Sequence, residues 1–213
     1  MSKKPYIVRI FHVSLWLVVV QSLISCAHHP IPVRHEGLSG KYYTRHVFRG
    51  QQEGLYKKVY TSNYLNFPDV LTAGSEVEIQ LYSASQVNLS IDGIQSRMFS
   101  RDLPFPTDPA GVNSFLEKHF SRNKLDLVID SLDEGDRKLV EQGTAAIGMT
   151  KEQVLLAIGY PSHIDGETPA ATMPRDRILQ ASEWRYRFGE FLFSFWKVYY
   201  QFDSEGKLVN VIQ

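Results

Sequence analysis

The chain has 213 residues, 43% of them hydrophobic, so it is long enough to bury one or two cores and is neither disordered nor collagen-like in composition. Its 23 basic residues balance its 23 acidic residues. Lys3, Lys4 and Arg9 lie in a leader without acids, which leaves 20 basic against 23 acidic residues in the remainder and disfavours a nucleic-acid partner. A single cysteine excludes an intramolecular disulfide, a Cys-rich zinc site and a redox cysteine pair.

Residues 1–25 follow the pattern of an export signal. The segment Met1–Arg9 is basic, and Ile10–Ile24 is largely apolar around Val13–Val20. This apolar part is about 15 residues long, whereas a membrane span needs about 20. We therefore expect the segment to be removed; the alternative is an uncleaved anchor helix with an incidental cysteine, and both place the rest of the chain outside the cytoplasm.

The end of this leader, Leu23-Ile24-Ser25-Cys26, resembles the lipobox of bacterial lipoproteins. The resemblance implies that the Cys26 thiol receives diacylglycerol, that the chain is cut before Cys26, and that the new amine is acylated. Two or more acyl chains anchor a protein stably in a bilayer, whereas a single chain binds marginally. Because Ala27 follows the cysteine, where inner-membrane lipoproteins of the enteric type often have Asp, the resemblance implies an outer-membrane lipoprotein that faces the periplasm.

The mature chain divides by composition. Three histidines on the proline-containing tether, His28, His29 and His35, lack the rigid support that a metal site needs, so we predict no metal site there. Prolines at 104, 106 and 109 mark the boundary between two folded parts. The predicted segments are a signal peptide (1–25), a lipidated tether (26–40), a β-rich domain (41–100) and an α+β domain (108–213).

The first folded part is rich in short β-like runs. Val77, Ile79 and Leu81 alternate with polar residues, which indicates a strand with one buried face, and Asp92-Gly93 is a hairpin signal. We predict a small antiparallel barrel or SH3-like sheet. Its strands are expected at Tyr42–Phe48, Leu55–Tyr60, Val77–Tyr82, Val87–Ile91 and Ser96–Phe99.

The second folded part begins with an amphipathic helix. Asp108 is a candidate N-cap followed by Pro109, and one apolar stripe includes Val112, Phe115, Leu116, His119 and Phe120. On that stripe His119 is expected to pack rather than to catalyse. The alternation of Leu125, Leu127 and Ile129 predicts a short strand, and a charged helix is expected from about Leu132 to Gln142.

The C-terminal third combines a capped helix with a β-meander. Thr150 and Gln153 have capping-box spacing, and Gly159 and Pro161 end the helix. Strands are expected at Glu183–Phe188, about Phe193–Phe202 and Lys207–Ile212. A tight turn at Gly189-Glu190 would pair Tyr186 with Phe193, while the last hairpin would pair Tyr200 with Val209, and the two registers disagree without a bulge.

This third also contains four short motifs: Gly148–Val154, Gly159-Tyr160-Pro161, Trp184-Arg185-Tyr186 and Phe202–Leu208. Together with the order of helix, long loop and β-meander, they resemble the BamE (SmpA/OmlA) family over about residues 142–213. The resemblance implies a two-layer helix/β-meander module of lipidated envelope proteins that bind other proteins and help to assemble outer-membrane proteins. The fold class expected for the whole chain is therefore α+β, a small antiparallel β domain followed by a BamE-like module. The extra β domain is a departure from that family.

The aromatic stretch Phe191–Tyr200 is apolar on both strand faces. It is either packed in the core or an exposed loop that touches a partner or the bilayer interface. In the second case its side chains are the candidate partner-binding residues: Phe191, Phe193, Phe195 and Trp196.

The sequence contains no phosphate-binding glycine loop, no nucleophile elbow and no His-Glu-x-x-His pattern, so we predict no catalytic residues, cofactor or metal. The expected function is that of a non-catalytic envelope lipoprotein, a docking or accessory factor in outer-membrane protein assembly or envelope integrity. Its expected partners are envelope or outer-membrane proteins, and the membrane through acyl chains on Cys26.

Two other functions stay open. A cell-wall or glycan binder would present tyrosine rings in a groove, the candidates being Tyr42, Tyr43, Tyr60 and Tyr64. A periplasmic enzyme or enzyme inhibitor is the other alternative, and an open pocket converging on His119 or His163 would favour catalysis.

Overall fold

Eight strands form one large mixed sheet in the first part of the chain. The computed structural model describes residues 32–33, 38, 40–61, 65, 67–99, 104–169, 173–187 and 197–213. The strands are β1 (Lys41–Thr44), β2 (Phe48–Glu53), β3 (Tyr56–Tyr60), β4 (Asp69–Leu71), β5 (Glu76–Tyr82), β6 (Val87–Ile91), β7 (Ile94–Phe99) and β8 (Phe120–Ser121). Their order in the sheet is β4-β2-β3-β7-β6-β5-β1-β8. Strands β3 and β7 pair in parallel, and the other neighbours are antiparallel.

The predicted Asp92-Gly93 hairpin is confirmed. These two residues have φ angles of 49° and 78° and connect β6 to β7, with Ile91 directly opposite Ile94. A two-residue turn with both φ angles positive matches the right-handed twist of the strands, and Asp-Gly tolerates that backbone.

Helix α1 (Pro109–His119) covers the large sheet, as its apolar stripe predicts. The Asp108 carboxylate accepts a hydrogen bond of 2.9 Å from the Gly111 amide, which confirms the predicted N-cap. Val112, Phe115 and Leu116 are buried in one cluster with strand residues of the large sheet. The helix therefore reaches its last residues, Lys118 and His119, in a position fixed by the core of that sheet.

Replacing this cap should weaken the fold measurably. We expect Asp108→Ala to lower the free energy of unfolding by about 1 kcal/mol, because an amide of the first turn loses its acceptor. Asp108→Asn keeps an acceptor oxygen and should stay close to the wild type. Urea denaturation of the three proteins measures the difference, and equal losses for both variants would contradict the role of the cap.

A second sheet and four described helices follow in the chain. The elements are α2 (Asp126–Asp130), α3 (Glu134–Glu141), α4 (Lys151–Ile158), β9 (His163–Ile164), β10 (Glu167–Pro169), α5 (Arg175–Gln180), β11 (Glu183–Arg187), β12 (Lys197–Phe202) and β13 (Leu208–Ile212). The strand order is β10-β9-β11-β12-β13. Helix α4 has the predicted capping box, with the Thr150 amide donating to the Gln153 side chain at 2.7 Å. Residues Val154–Ile158 of this helix are buried in one hydrophobic cluster with the fully buried Trp184 and Leu208 side chains.

The predicted fold class is wrong. Instead of an α+β chain with a small antiparallel barrel or SH3-like domain and a BamE-like two-layer module, the chain is mostly β, with a large curled mixed sheet, a second sheet and a few short helices. Two polar segments account for much of the difference. Phe48–Glu53 contains Gly50 and two glutamines that hide its strand pattern, and the polar stretch around Asp165-Gly166 forms the β9-β10 hairpin, which extends the meander to five strands.

Two local predictions also fail. The segment predicted as a strand around Leu125 and Ile129 is helix α2, because alternation over five residues is too short to distinguish a strand from one helical turn. Tyr186 pairs with Val198 instead of Phe193. The predicted turn at Gly189-Glu190 lies outside the described residues.

The register predicted for the last hairpin is wrong as well. Tyr200 lies opposite Val211 instead of Val209, and the β12-β13 ladder shifts register between Gln201 and Phe202. One irregularity in the ladder changes every later pair, which the strand pattern alone does not reveal.

Candidate functional site

A pocket of about 580 Å³ lies where the β1-β2 connection, the end of α1 and the helices of the second part meet. Its polar wall contains Arg45, His46, Lys118, Tyr160 and Arg175. Its apolar wall is formed by leucine and valine side chains of α2, its flanks and α4, namely Leu125, Val128, Leu132, Leu155 and Leu156. The volume lies within the range of ordinary ligand pockets, about 300–1,000 Å³.

The β1-β2 connection is held from both sides. The Arg45 amide donates to the His119 carbonyl at 3.0 Å, and the Val47 amide donates to the Leu156 carbonyl at 3.2 Å. The Arg45 Nε also donates to the Phe120 carbonyl at 2.7 Å. These bonds join the connection to the end of α1 and to α4, so the part of the polar wall that carries Arg45 and His46 is held in place.

Two buried histidines hydrogen-bond each other here, His46 in the polar wall and His119 behind it. His46 Nε2 and His119 Nδ1 are 2.9 Å apart, and each residue is 2% exposed. His46 Nδ1 lies 2.8 Å from the Val47 carbonyl, which can only accept, so His46 carries its proton on Nδ1. His46 Nε2 is then an acceptor, and His119 donates to it from Nδ1. The pair is therefore satisfied with both rings neutral.

Burial holds both rings in the neutral form. It lowers the pKa of His46 to about 3, against the smaller opposing effect of the Val47 carbonyl, and the Lys118 and Arg175 charges lower it further. Burial also places the pKa of His119 well below its ordinary value, assisted by His46 and Lys118. Aromatic rings enclose the pair: Phe48 lies 4.3 Å from His46, and Phe115 lies 4.8 Å from His119, between ring centroids.

Lys118, Tyr160 and Arg175 form a second group in the same wall. The Lys118 ammonium lies 4.5 Å from the centre of the Tyr160 ring, and burial lowers the pKa of this lysine to about 8. Burial raises the pKa of Tyr160 to about 12, although Arg175 and Arg45 act in the opposite direction. At neutral pH the phenol is therefore neutral, and most of the Lys118 amines are charged.

This arrangement lacks the ligand set of a metal centre. Across the described ranges, no three His, Cys, Asp or Glu side chains come together in a way that would hold an ion. The described helices include none with the length and apolar character required to cross a bilayer.

Most of the site residues predicted from sequence lie outside the described residues. This holds for the lipidation candidate and the aromatic candidates, which are Cys26, Phe191, Phe193, Phe195 and Trp196, and for Tyr64. Of the tyrosines considered for glycan binding, Tyr42 and Tyr60 are 3% and 5% exposed and belong to the core. They do not form an exposed row of rings for a sugar.

The histidines singled out in the sequence have different surroundings. His119 is buried against the aromatic cluster, in agreement with its place on the α1 stripe. His163 is half-buried on β9, with Nδ1 3.1 Å from the Ser162 hydroxyl oxygen. Only the first is linked to the pocket, through His46.

Sequence reasoning missed the pocket residues because no local motif joins them. Arg45 and His46 fall inside the predicted strand Tyr42–Phe48, although two adjacent polar residues in an apolar run indicate that the chain leaves the sheet. Tyr160 stands in the Gly-x-Pro end of a helix, which has no functional signature. Lys118 and Arg175 lie 57 residues apart in the chain and meet only in the folded state.

Comparisons with protein-family models, curated proteins and solved structures found no match for this chain.

Proposed function

We propose that this chain is an envelope lipoprotein, anchored to the outer membrane through acyl chains on Cys26 and facing the periplasm. The support is the leader, which has a basic start, a short apolar segment and a lipobox-like end at the only cysteine. A protein held in this way needs no transmembrane helix, because two or more acyl chains suffice for stable attachment.

Metabolic labelling tests the anchor. We expect radiolabelled palmitate to enter the wild-type protein and to be absent from Cys26→Ser, because a hydroxyl cannot form the thioether. The unlabelled variant should also leave the membrane fraction or keep its uncleaved leader. Equal labelling of both proteins would contradict lipidation at Cys26.

The folded part is proposed to act as a non-catalytic docking or accessory factor that receives a group from an envelope or outer-membrane protein. The observation that supports this is the pocket between the large sheet and the α2–α5 helices, whose lining combines cationic and aromatic side chains with aliphatic ones. Pre-formed concave sites that combine apolar surface with a few polar groups are the usual binding sites of proteins. The protein would serve either the assembly of outer-membrane proteins or the maintenance of the envelope, and the identity of its partner would show which.

Site-specific photocrosslinking in intact cells tests the docking role. Benzoylphenylalanine at Val128, which is 51% exposed at the pocket, should capture a defined envelope protein. The same label at Leu55, which is 98% exposed in the β2-β3 turn, is the matched control. Identical adducts from both positions, or none from Val128, would contradict docking at the pocket.

Catalysis is a second candidate because the pocket reaches His46 and Lys118. His46 is a poor base at neutral pH, since burial lowers its pKa to about 3. The Lys118 amine, with its pKa lowered to about 8, is a better nucleophile than an ordinary lysine and suits attack on a carbonyl carbon with loss of water. Borohydride reduction in the presence of a carbonyl compound would trap such an imine, and a Lys118 adduct would favour this candidate.

A further inference from the structure

Three cationic side chains from three separate elements face the same pocket. Arg45 comes from the β1-β2 connection, Lys118 from the end of α1 and Arg175 from the start of α5. Among the lining side chains that the structure describes, Glu152 supplies the one carboxylate. Because the two histidines are neutral, this wall is positively charged although the chain as a whole has no net charge.

All three cations line the pocket together with Tyr160. The Lys118 ammonium lies 4.5 Å from the centre of the Tyr160 ring. Several cationic donors around one pocket suit a bound oxyanion, because carboxylate and phosphate oxygens accept several charge-assisted hydrogen bonds.

Two of the cations are oriented before any ligand arrives. Lys118 Nζ donates to the Met173 carbonyl at 3.1 Å, and Arg45 Nε donates to the Phe120 carbonyl. Arg175 Nη1 lies 3.2 Å from Glu152 Oε1 in an exposed ion pair. Fixed donors lose little conformational freedom on binding, which favours affinity. The Lys118 ammonium is also partly removed from water, so an arriving anion would offset a desolvation cost that the fold already bears.

The aliphatic part of the lining determines what must be attached to the oxyanion. Val128, Leu132 and Leu156 line it with branched aliphatic groups, which gain free energy when they cover apolar surface. A free inorganic ion would leave this wall in contact with water, whereas an anion on an aliphatic body would satisfy both walls.

We propose that the pocket binds a carboxylate of a partner protein, presented among aliphatic side chains. This inference rests on the proposed docking function and gives the chemistry of the segment that docks. Arg45, Lys118, Arg175 and the Tyr160 hydroxyl receive the carboxylate, and the leucines and Val128 pack against its aliphatic neighbours.

Calorimetric titration of the full chain in a neutral detergent tests this chemistry. The probes are acetyl-Leu-Glu-Leu-amide, the uncharged acetyl-Leu-Gln-Leu-amide, and glycerol 3-phosphate as a soluble lipid head group. The Glu peptide should bind about tenfold more tightly than the Gln peptide, the ratio that corresponds to one charge-assisted hydrogen bond. Lys118→Met should abolish this preference, while Lys138→Met, the same charge change at an exposed position on α3, should keep it.

Each outcome decides the proposal. Equal binding of the Glu and Gln peptides to the wild type, a comparison that needs no variant, overturns it. Tighter binding of glycerol 3-phosphate than of the Glu peptide also overturns it, in favour of a lipid head group. If no probe binds but Val128 still captures a partner in cells, the carboxylate assignment fails and the docking function stands; if neither occurs, both fail.

Discussion

Replacing both His46 and His119 by phenylalanine should remove most of the acid sensitivity of this protein between pH 6.5 and 5. In the unfolded chain both imidazoles take up protons as the pH falls below their ordinary pKa of about 6.5. In the folded chain burial keeps both neutral, with the pKa of His46 lowered to about 3. Protons therefore bind preferentially to the unfolded state, and stability is lost as the pH falls.

The expected loss is large for two side chains. Full stability is present above pH 6.5, and the free energy of unfolding should decrease by about 3 kcal/mol between pH 6.5 and 5, from both histidines together. Protonating His46 at Nε2 would also place two N–H groups face to face in the 2.9 Å contact with His119. Two phenylalanines remove the titrating groups and remain compatible with the surrounding Phe48, Phe115 and Tyr160 rings.

Urea denaturation at a series of pH values measures this effect. His163→Gln, at a half-buried histidine outside the pair, is the control and should keep the acid sensitivity of the wild type. If the double variant does not fold, the wild type still provides a test by NMR, since the resonances of His46 and His119 should stay at neutral-ring positions down to pH 5. Ordinary titration near pH 6.5 would show that the pair is not held neutral.

Leu208→Ala should destabilise the protein by about 2–5 kcal/mol. Leu208 is fully buried at the start of β13, in the cluster that includes Trp184 and the α4 side chains, and truncation leaves a cavity there. Its amide and carbonyl bond Met149 and Gly148, and alanine preserves these bonds, so the loss reports packing alone.

Leu55→Ala is the matched control for the same chemical change. Leu55 is 98% exposed in the β2-β3 turn, so the free energy of unfolding should change by less than about 0.5 kcal/mol. Chemical denaturation of the two variants side by side gives the comparison. Similar losses at both positions would show that Leu208 does not lie in a packed core.

The parts of the fold that could be predicted are those decided by a few neighbouring residues. The Asp108 cap, the α1 stripe, the Thr150 capping box and the Asp92-Gly93 turn all appear as expected. The same turn signal occurs at Asp165-Gly166, between β9 and β10, but its flanks Ser162–Ile164 and Glu167–Pro169 are too polar to resemble strands.

Pairing between distant segments could not be predicted. The parallel pairing of β3 with β7 and the enlargement of both sheets depend on hydrogen bonds between distant segments, whose partners no local pattern identifies. For the same reason the fold class was wrong although most individual elements were correct. A one-residue change in register reverses every side chain of a strand, so small errors in strand limits alter the predicted core.

By itself the sequence determined the local elements, because caps, turns and apolar stripes depend on adjacent residues. The proposed anchor likewise rests on a pattern of adjacent residues, the leader-like segment before Cys26. Only the tertiary structure decided the mixed sheet, the neutral histidine pair and the charged pocket wall. The physical reason is that Arg45, Lys118 and Arg175 are ordinary surface-type residues in the linear chain. They line one pocket with Tyr160 only in the folded state, where burial also partly removes the Lys118 ammonium from water.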